Sequence, residues 1–436
     1  MNENIRRLDR LLIFNNDYGS NTNNSQLVLN SINLLDLLKP PTPIQIVVES
    51  SKTMFNNIMN MKKEEVNAFS EQFPYLDIYN LILDCENEDL MEYLFLSICS
   101  MTKGYDFDPE DFISPSILMS LIIFTDNPKF SCFAFYLLSV LYLSCHTLIK
   151  IYDEYGIIHK LGIDPIDVTK AQFIRLACVF PRTEEICEKL PNLVIKLLCS
   201  NDENIIQDGL TACLALKLNC ENEKFRLSAV PILEFVLNNL NRFVSIKSLK
   251  FQTKFLNFLA SIDCEIPHSL IPFIFNILQI KISGIENENG QKEFINDVED
   301  NEIINACSFL LFSTYSKWKD FINIDNLFNL LLPRAINAPI DHQRNLFYTL
   351  LTYSDYPHLI IPPMLEMIVN YLNYEQLSFP CMKALLNILM TAENPIELFG
   401  PLINDIITAI SSDSIYENEE YASLANQIIE IIDPQV

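Results

Sequence analysis

Apolar and polar positions along this chain alternate with a helical spacing, and prolines mark where many of the apolar stretches begin. Pro74 is followed by Leu76 and Leu81, Pro115 by Ile117 and Leu121, Pro191 by Leu193 and Leu197, and Pro231 by Leu233 and Val236. The series continues with Pro272, Ile274 and Ile277, then Pro363, Leu365 and Ile368, then Pro401, Ile403 and Ile406. Proline suits the first turn of a helix, where its missing N–H has no partner to lose. The apolar positions that follow lie on one side of such a helix and give it a stripe to bury.

The prolines also keep a period. Pro74 to Pro115 spans 41 positions, Pro191 to Pro231 spans 40, Pro231 to Pro272 spans 41 and Pro363 to Pro401 spans 38. The gap from Pro115 to Pro191 has room for two units, and that from Pro272 to Pro363 for two units plus an insertion. A second apolar helix follows about twenty residues later in each unit, and neither helix can bury its face alone, so units must stack. The pattern predicts an all-α, right-handed solenoid of armadillo/HEAT type with roughly nine to ten repeats, over residues 26–436. Residues 285–302 hold Glu286, Glu288, Glu293, Asp297, Glu299, Asp300 and Glu302 against Lys292, and read as an acidic, solvated insertion. Residues 1–25 read as an Asn-rich, mostly disordered lead.

Composition supports a long core. The chain has 436 residues, of which 49% are hydrophobic and only 8 are Gly. That exceeds what one compact core holds and weighs against hairpin-rich folds. A formal charge of −26 disfavours direct nucleic-acid binding, which needs Lys and Arg against phosphate. The 12 Cys show no CxxC spacing and fall mostly in apolar runs, where thiols pack as small hydrophobes. Together with a polar N-terminus, this points to a reducing compartment, the cytoplasm and/or the nucleus. Residues 130–149 carry no formal charge and match a membrane span in length, but they keep register with the repeats and read as a buried helix, so no membrane is expected. No phosphate loop, HExxH or GxSxG occurs, and His146, His159, His268, His342 and His358 are scattered. The expectation is a protein that is not an enzyme, with no cofactor and no metal.

Four segments carry a family resemblance. Residues 26–50, QLVLNSINLLDLLKPPTPIQIVVES, are similar to the first repeat of importin-α (karyopherin-α). Residues 92–102, EYLFLSICSMT, resemble its second repeat, residues 200–209, SNDENIIQDG, its fifth-repeat turn, and residues 417–432, ENEEYASLANQIIEII, its final helix. The resemblance implies a nuclear-import adaptor. In that family each groove helix presents a Trp and an Asn one turn apart, which flank the cations and hold the backbone of a basic peptide.

Carried over by position, the slots are altered. Tyr93 and Ser97 stand in the second repeat, and Tyr136 and Val140 in the third. Phe173 and Ala177 follow, then Thr211 and Ala215. Asn persists at Asn257 and Asn387, with Phe312 and Leu350 between them. The peptide-groove candidates are therefore Tyr93, Ser97, Tyr136, Asn257 and Asn387. The family's basic importin-β-recruiting segment is reduced here to Arg6, Arg7 and Arg10, which leaves importin-β doubtful as a partner. Two readings follow. One is an importin-α-like adaptor for a protein or basic peptide ligand. The other is an armadillo scaffold subunit of an unrelated intracellular complex with no transport role.

Overall fold

A computed structural model describes residues 24–102, 115–144, 155–162, 165–179, 184–218, 223–262, 264–282, 285–286, 292–293, 298–337, 340–354, 356–411 and 418–432. The lead at residues 1–23 and the end of the apolar run at residues 145–149 lie outside them. The chain divides into two compact units, Met1–Val236 and Leu237–Val436.

The first unit is built from helix pairs: α1 (Asn24–Leu37) with α2 (Ile44–Asn60), α3 (Tyr75–Leu83) with α4 (Glu88–Met101), α5 (Pro115–Phe124) with α6 (Ser131–Ser144), α7 (Ile157–Leu161) with α8 (Val168–Ala177), and α9 (Glu184–Leu198) with α10 (Glu203–Leu218). The second helix of each pair packs on its counterpart in the next, so that α2, α4, α6, α8 and α10 form a ladder. Helix α11 (Val230–Asn238) follows and crosses the division between units.

The second unit repeats the scheme. Helix α12 (Leu240–Val244) precedes α13 (Leu249–Ser261), α14 (Ile271–Ile282) pairs with α15 (Val298–Ser313), and α16 (Ile324–Asn337) pairs with α17 (Ile340–Tyr353). Then α18 (Pro362–Tyr371) pairs with α19 (Glu375–Thr391), and α20 (Ile403–Ile410) with α21 (Glu419–Ile432). Its ladder runs α13, α15, α17, α19, α21. This is an all-α, armadillo/HEAT-type solenoid architecture of stacked helix pairs. Within the acidic insertion, Ile285–Glu286 and Lys292–Glu293 pair as a short antiparallel ribbon, and residues 298–302 form the first turn of α15.

Local chemistry explains the boundaries. Pro74 sits just before α3, Pro115 opens α5, and Pro231, Pro272 and Pro363 fall in the first turns of α11, α14 and α18. Asn87, Asp167 and Ser248 cap α4, α8 and α13, accepting from the N–H groups of Leu90, Lys170 and Phe251 at 3.0, 2.9 and 3.3 Å. Two prolines depart from the expected pattern. Pro191 lies inside α9, which starts at Glu184, and Pro401 lies in a 3₁₀ turn ahead of α20. In α9 the fully buried Leu190 lies N-terminal to the proline.

The core is aromatic where the pairs meet. Phe95 of α4 stacks on Phe133 of α6 at 5.6 Å and takes the edge of Phe124 of α5 at 5.3 Å. In the second unit the buried Trp318 donates Nε1–H to the carbonyl of Ile266 at 3.0 Å. Tyr353 and Thr349 of α17 donate across the ladder to the carbonyls of Leu311 and Ser308 at 2.8 and 3.0 Å. The buried Arg334 guanidinium reaches the Asn301 side-chain carbonyl, next to a 2.6 Å ion pair between Lys281 and Asp300. No described helix is long and apolar enough to cross a membrane.

Gly209 of α10 lies close against α9. A Cβ there would meet Leu198 Cδ2 at 3.0 Å and Leu197 Cβ at 3.1 Å, both leucines being fully buried. Helix propensity favours Ala over Gly by about 1 kcal/mol, so an open site would gain from the change. Here Gly209→Ala is expected to destabilise the chain by about 1–2 kcal/mol through overpacking. A urea midpoint at or above that of the parent would refute the close-approach account.

Candidate protein-binding face

The ladder helices carry every position singled out from the sequence, and the two units treat those positions differently. In the first unit, Tyr93 of α4 is half-buried, with its ring 6.4 Å from that of Phe55 on α2. Ser97, one turn on, is 0% exposed, and its hydroxyl donates to the Tyr93 carbonyl at 2.8 Å. Tyr136 of α6 is 7% exposed; burial drives its hydroxyl pKa well above the ordinary tyrosine value, and a hydrogen bond with the Thr102 side chain offsets part of that. Phe173 and Ala177 are buried in α8, whereas Thr211 of α10 is exposed and donates to the Gln207 carbonyl at 2.9 Å. The cause lies in the helices themselves. Residues Leu94–Met101 are buried all round α4 without interruption, so its groove slots are taken up by packing.

In the second unit both asparagines face solvent. Asn257 shares an exposed stripe of α13 with Lys250, Lys254 and Ser261, at spacings of one turn or close to it. Asn387 shares an exposed stripe of α19 with Lys383, Met390 and Thr391, and the Thr391 hydroxyl donates to its backbone carbonyl at 2.7 Å. Leu350 is buried, while Phe312 of α15 is half-buried and meets Tyr348 of α17 at 4.5 Å. Phe379 of α19 stacks on Tyr421 of α21 at 4.9 Å, with Lys383 Nζ 4.1 Å from the Phe379 ring centre and 4.0 Å from Glu420. Phe309 adds a further 37% exposed ring on α15.

The face therefore carries carboxamides, aromatic edges and lysines in alternation down the ladder. Tyr348, Phe379, Tyr421 and Lys383 were missed by the positional comparison, which followed one slot per repeat. The lysine one turn ahead of Asn387 was the signal available. Chemically the face can hydrogen-bond a polypeptide backbone and pack against side chains. Among the described residues no group of His, Cys, Asp or Glu is placed to hold a metal.

No family model matches this chain. No curated protein matches it either. Solved structures do. An engineered protein aligns at a TM-score of 0.56 with 12% identity, over 92% of this chain and 98% of its own. A chain from a crystal structure in which Kap95p binding induces the switch loops of RanGDP to adopt the GTP-bound conformation aligns at 0.54 with 14% identity. That match covers 99% of this chain and 54% of the other, so this chain spans about half of its length. Kap121p aligns at 0.40 with 12% identity, over 99% of this chain and 49% of that one. The fold is a helical solenoid resembling those of karyopherins.

The buried phenols make the fold sensitive to alkali. Burial raises the pKa of Tyr75 to about 12 and pushes those of Tyr79, Tyr136 and Tyr353 up as well. Released from the fold, each ionises near the ordinary tyrosine value of 10.0. The unfolded chain therefore binds fewer protons than the native chain above that pH, and stability falls as pH rises through the native pKa values. We expect a urea midpoint insensitive to these phenols below pH 10 and falling above it, and a shallower fall in Tyr136→Phe. Phenolate absorbance that rises fully before unfolding would contradict the burial of these hydroxyls.

Proposed function

We propose that this chain is a protein-binding adaptor that holds an extended polypeptide along the ladder face of its second unit, in the cytoplasm or the nucleus. The observation that carries the reading is the exposure of Asn257 and Asn387 on ladder helices whose other faces are buried. A side-chain amide donates and accepts at once, which suits the alternating N–H and C=O groups of an extended chain. Aromatic rings elsewhere on the ladder helices, Phe309, Phe312 and Phe379, supply area to cover the peptide's side chains. The importin-α resemblance supports a peptide ligand. The likeness to a chain from the Kap95p–RanGDP structure supports a protein partner, RanGDP being the partner in that case.

The basic-peptide, nuclear-import form of the reading rests on sequence resemblance. Two features weigh on it. Ser97 and Tyr136 are 0% and 7% exposed, and lysines, Lys254 and Lys383, stand about one turn ahead of the two asparagines. An import cargo's Lys side chains would meet like charge there. The buried thiols of Cys99, Cys178, Cys213, Cys307 and Cys381 support a reducing compartment.

A library of extended peptides of acidic, neutral and Lys-rich composition tests the reading when screened against the full chain, with hydrogen exchange used to map the hits. Protection is expected over residues 249–261 and 375–391. Asn257→Ala with Asn387→Ala should weaken the hits by roughly 10–30-fold, the loss of two backbone hydrogen-bonding contacts at about 1 kcal/mol each. Hits that map elsewhere, or affinities unchanged in the double variant, would remove the second-unit ladder as the working face.

A further inference from the structure

Charge is spread unevenly along this acidic chain. The whole sequence has 56 Asp and Glu to 30 Lys and Arg, yet no carboxylate lies between Glu234 and Asp263, where Arg242, Lys247, Lys250 and Lys254 all fall. The fold turns this stretch outward. Lys247 is exposed in the turn ahead of α13, and Lys250 and Lys254 are exposed one turn apart on α13, in the stripe that also holds Asn257 and Ser261. Arg242 lies half-buried with its guanidinium 5.8 Å from the Phe243 ring centre. On the next ladder helix, α15, the acids Glu299 and Glu302 are exposed in the first turns, and beyond them the exposed positions Phe309 and Ser313 are uncharged. The first turn of α13 holds no acidic residue. Lys247 and Lys250 thus stand at the positive end of the helix dipole, where cations oppose helix stability and a carboxylate would be welcomed.

We propose that Lys247, Lys250 and Lys254, with Asn257, dock an acidic extended segment of a partner protein. The inference rests on the peptide-binding reading of Asn257 and names its ligand class. The spacing fits. Alternate side chains of an extended strand lie about 6.6 Å apart on one side, and one helical turn from Lys250 to Lys254 advances about 6 Å. Carboxylates at every second residue can therefore meet successive lysines while the Asn257 amide holds the backbone between or beyond them. A polypeptide fits better than a nucleic acid. Three lysines on a chain of net charge −26 give a short positive stripe in an otherwise repulsive field, which favours a few carboxylates over a run of phosphates.

The test uses the full chain, fluorescence anisotropy and three labelled probes: an alternating Glu–Thr peptide, a Lys–Thr peptide of equal length, and a single-stranded oligonucleotide of equal charge to the first. The Glu–Thr peptide is expected to bind most tightly, and more weakly as salt rises. Lys247→Glu with Lys250→Glu should reduce its affinity tenfold or more, and Lys247→Gln with Lys250→Gln by an intermediate factor. Circular dichroism should show unchanged helicity in both, since these side chains are exposed. The proposal is overturned if the Lys–Thr peptide or the oligonucleotide binds better, or if the charge-reversed variant binds the Glu–Thr peptide as the parent does. Should a neutral or Lys–Thr peptide bind and depend on Asn257, the acidic assignment falls while the peptide-binding face stands. If no peptide of any charge binds, both fall.

Discussion

No helix pair in this chain can bury both of its apolar faces by itself, and every other feature depends on that constraint. A pair such as α3 and α4 closes one face internally, and α4 must then find α2 on one side and α6 on the other. The contact is aromatic, with Phe95 of α4 stacked on Phe133 of α6, so these neighbours are joined by a large desolvated surface. Exposed ion pairs such as Lys39–Asp36 and Arg226–Glu223 contribute little, whereas the more shielded Lys281–Asp300 and Arg175–Asp208 pairs tie neighbouring helices together. Stability of this kind is a sum over nearest neighbours. It leaves the outer surface of the ladder free to vary without loss of fold.

That freedom is used differently in the two units. In the first, α4 is buried without interruption from Leu94 to Met101, and Ser97 and Tyr136 are absorbed into packing. The Ser97 hydroxyl then satisfies itself on the carbonyl one turn back, as a buried serine in a helix does. In the second, α13 and α19 keep a polar stripe, and the stripe carries both amides and cations. An acidic protein that places lysines on its exposed ladder has spent those lysines away from its bulk charge, and the excess of carboxylates elsewhere serves solubility.

Much of the fold was legible in the sequence because proline and apolar periodicity act locally. Pro74, Pro115, Pro231, Pro272 and Pro363 each mark a first turn, and the helices follow. Pro191 does not mark a first turn: the helix begins at Glu184 and runs through it, which local rules do not anticipate. The exposure of Asn257 and Asn387 followed from keeping count of the repeats. The burial of Ser97 and Tyr136 did not, since it depends on which neighbouring helices close over them, although the unbroken apolar run around Ser97 carried a hint. The aromatic pairs Phe312–Tyr348 and Phe379–Tyr421 join residues from different repeats, and a slot-by-slot comparison has no means of seeing them.

The same reasoning bears on how a repeat protein changes ligand without changing fold. Lys383, one turn ahead of Asn387, costs the core nothing, because that position is exposed and its ammonium rests on the Phe379 ring. Electrostatically it is the opposite of neutral. A cation beside an amide repels a Lys-rich segment and attracts a Glu-rich one, while an amide can pair with either backbone equally. On a repeat fold the two kinds of exposed position can vary separately, because neither belongs to the stacked surface. With Lys254 near Asn257 and Lys383 near Asn387, both of these exposed amides stand next to the same sign of charge, so a ligand spanning the two stripes would meet lysine at each.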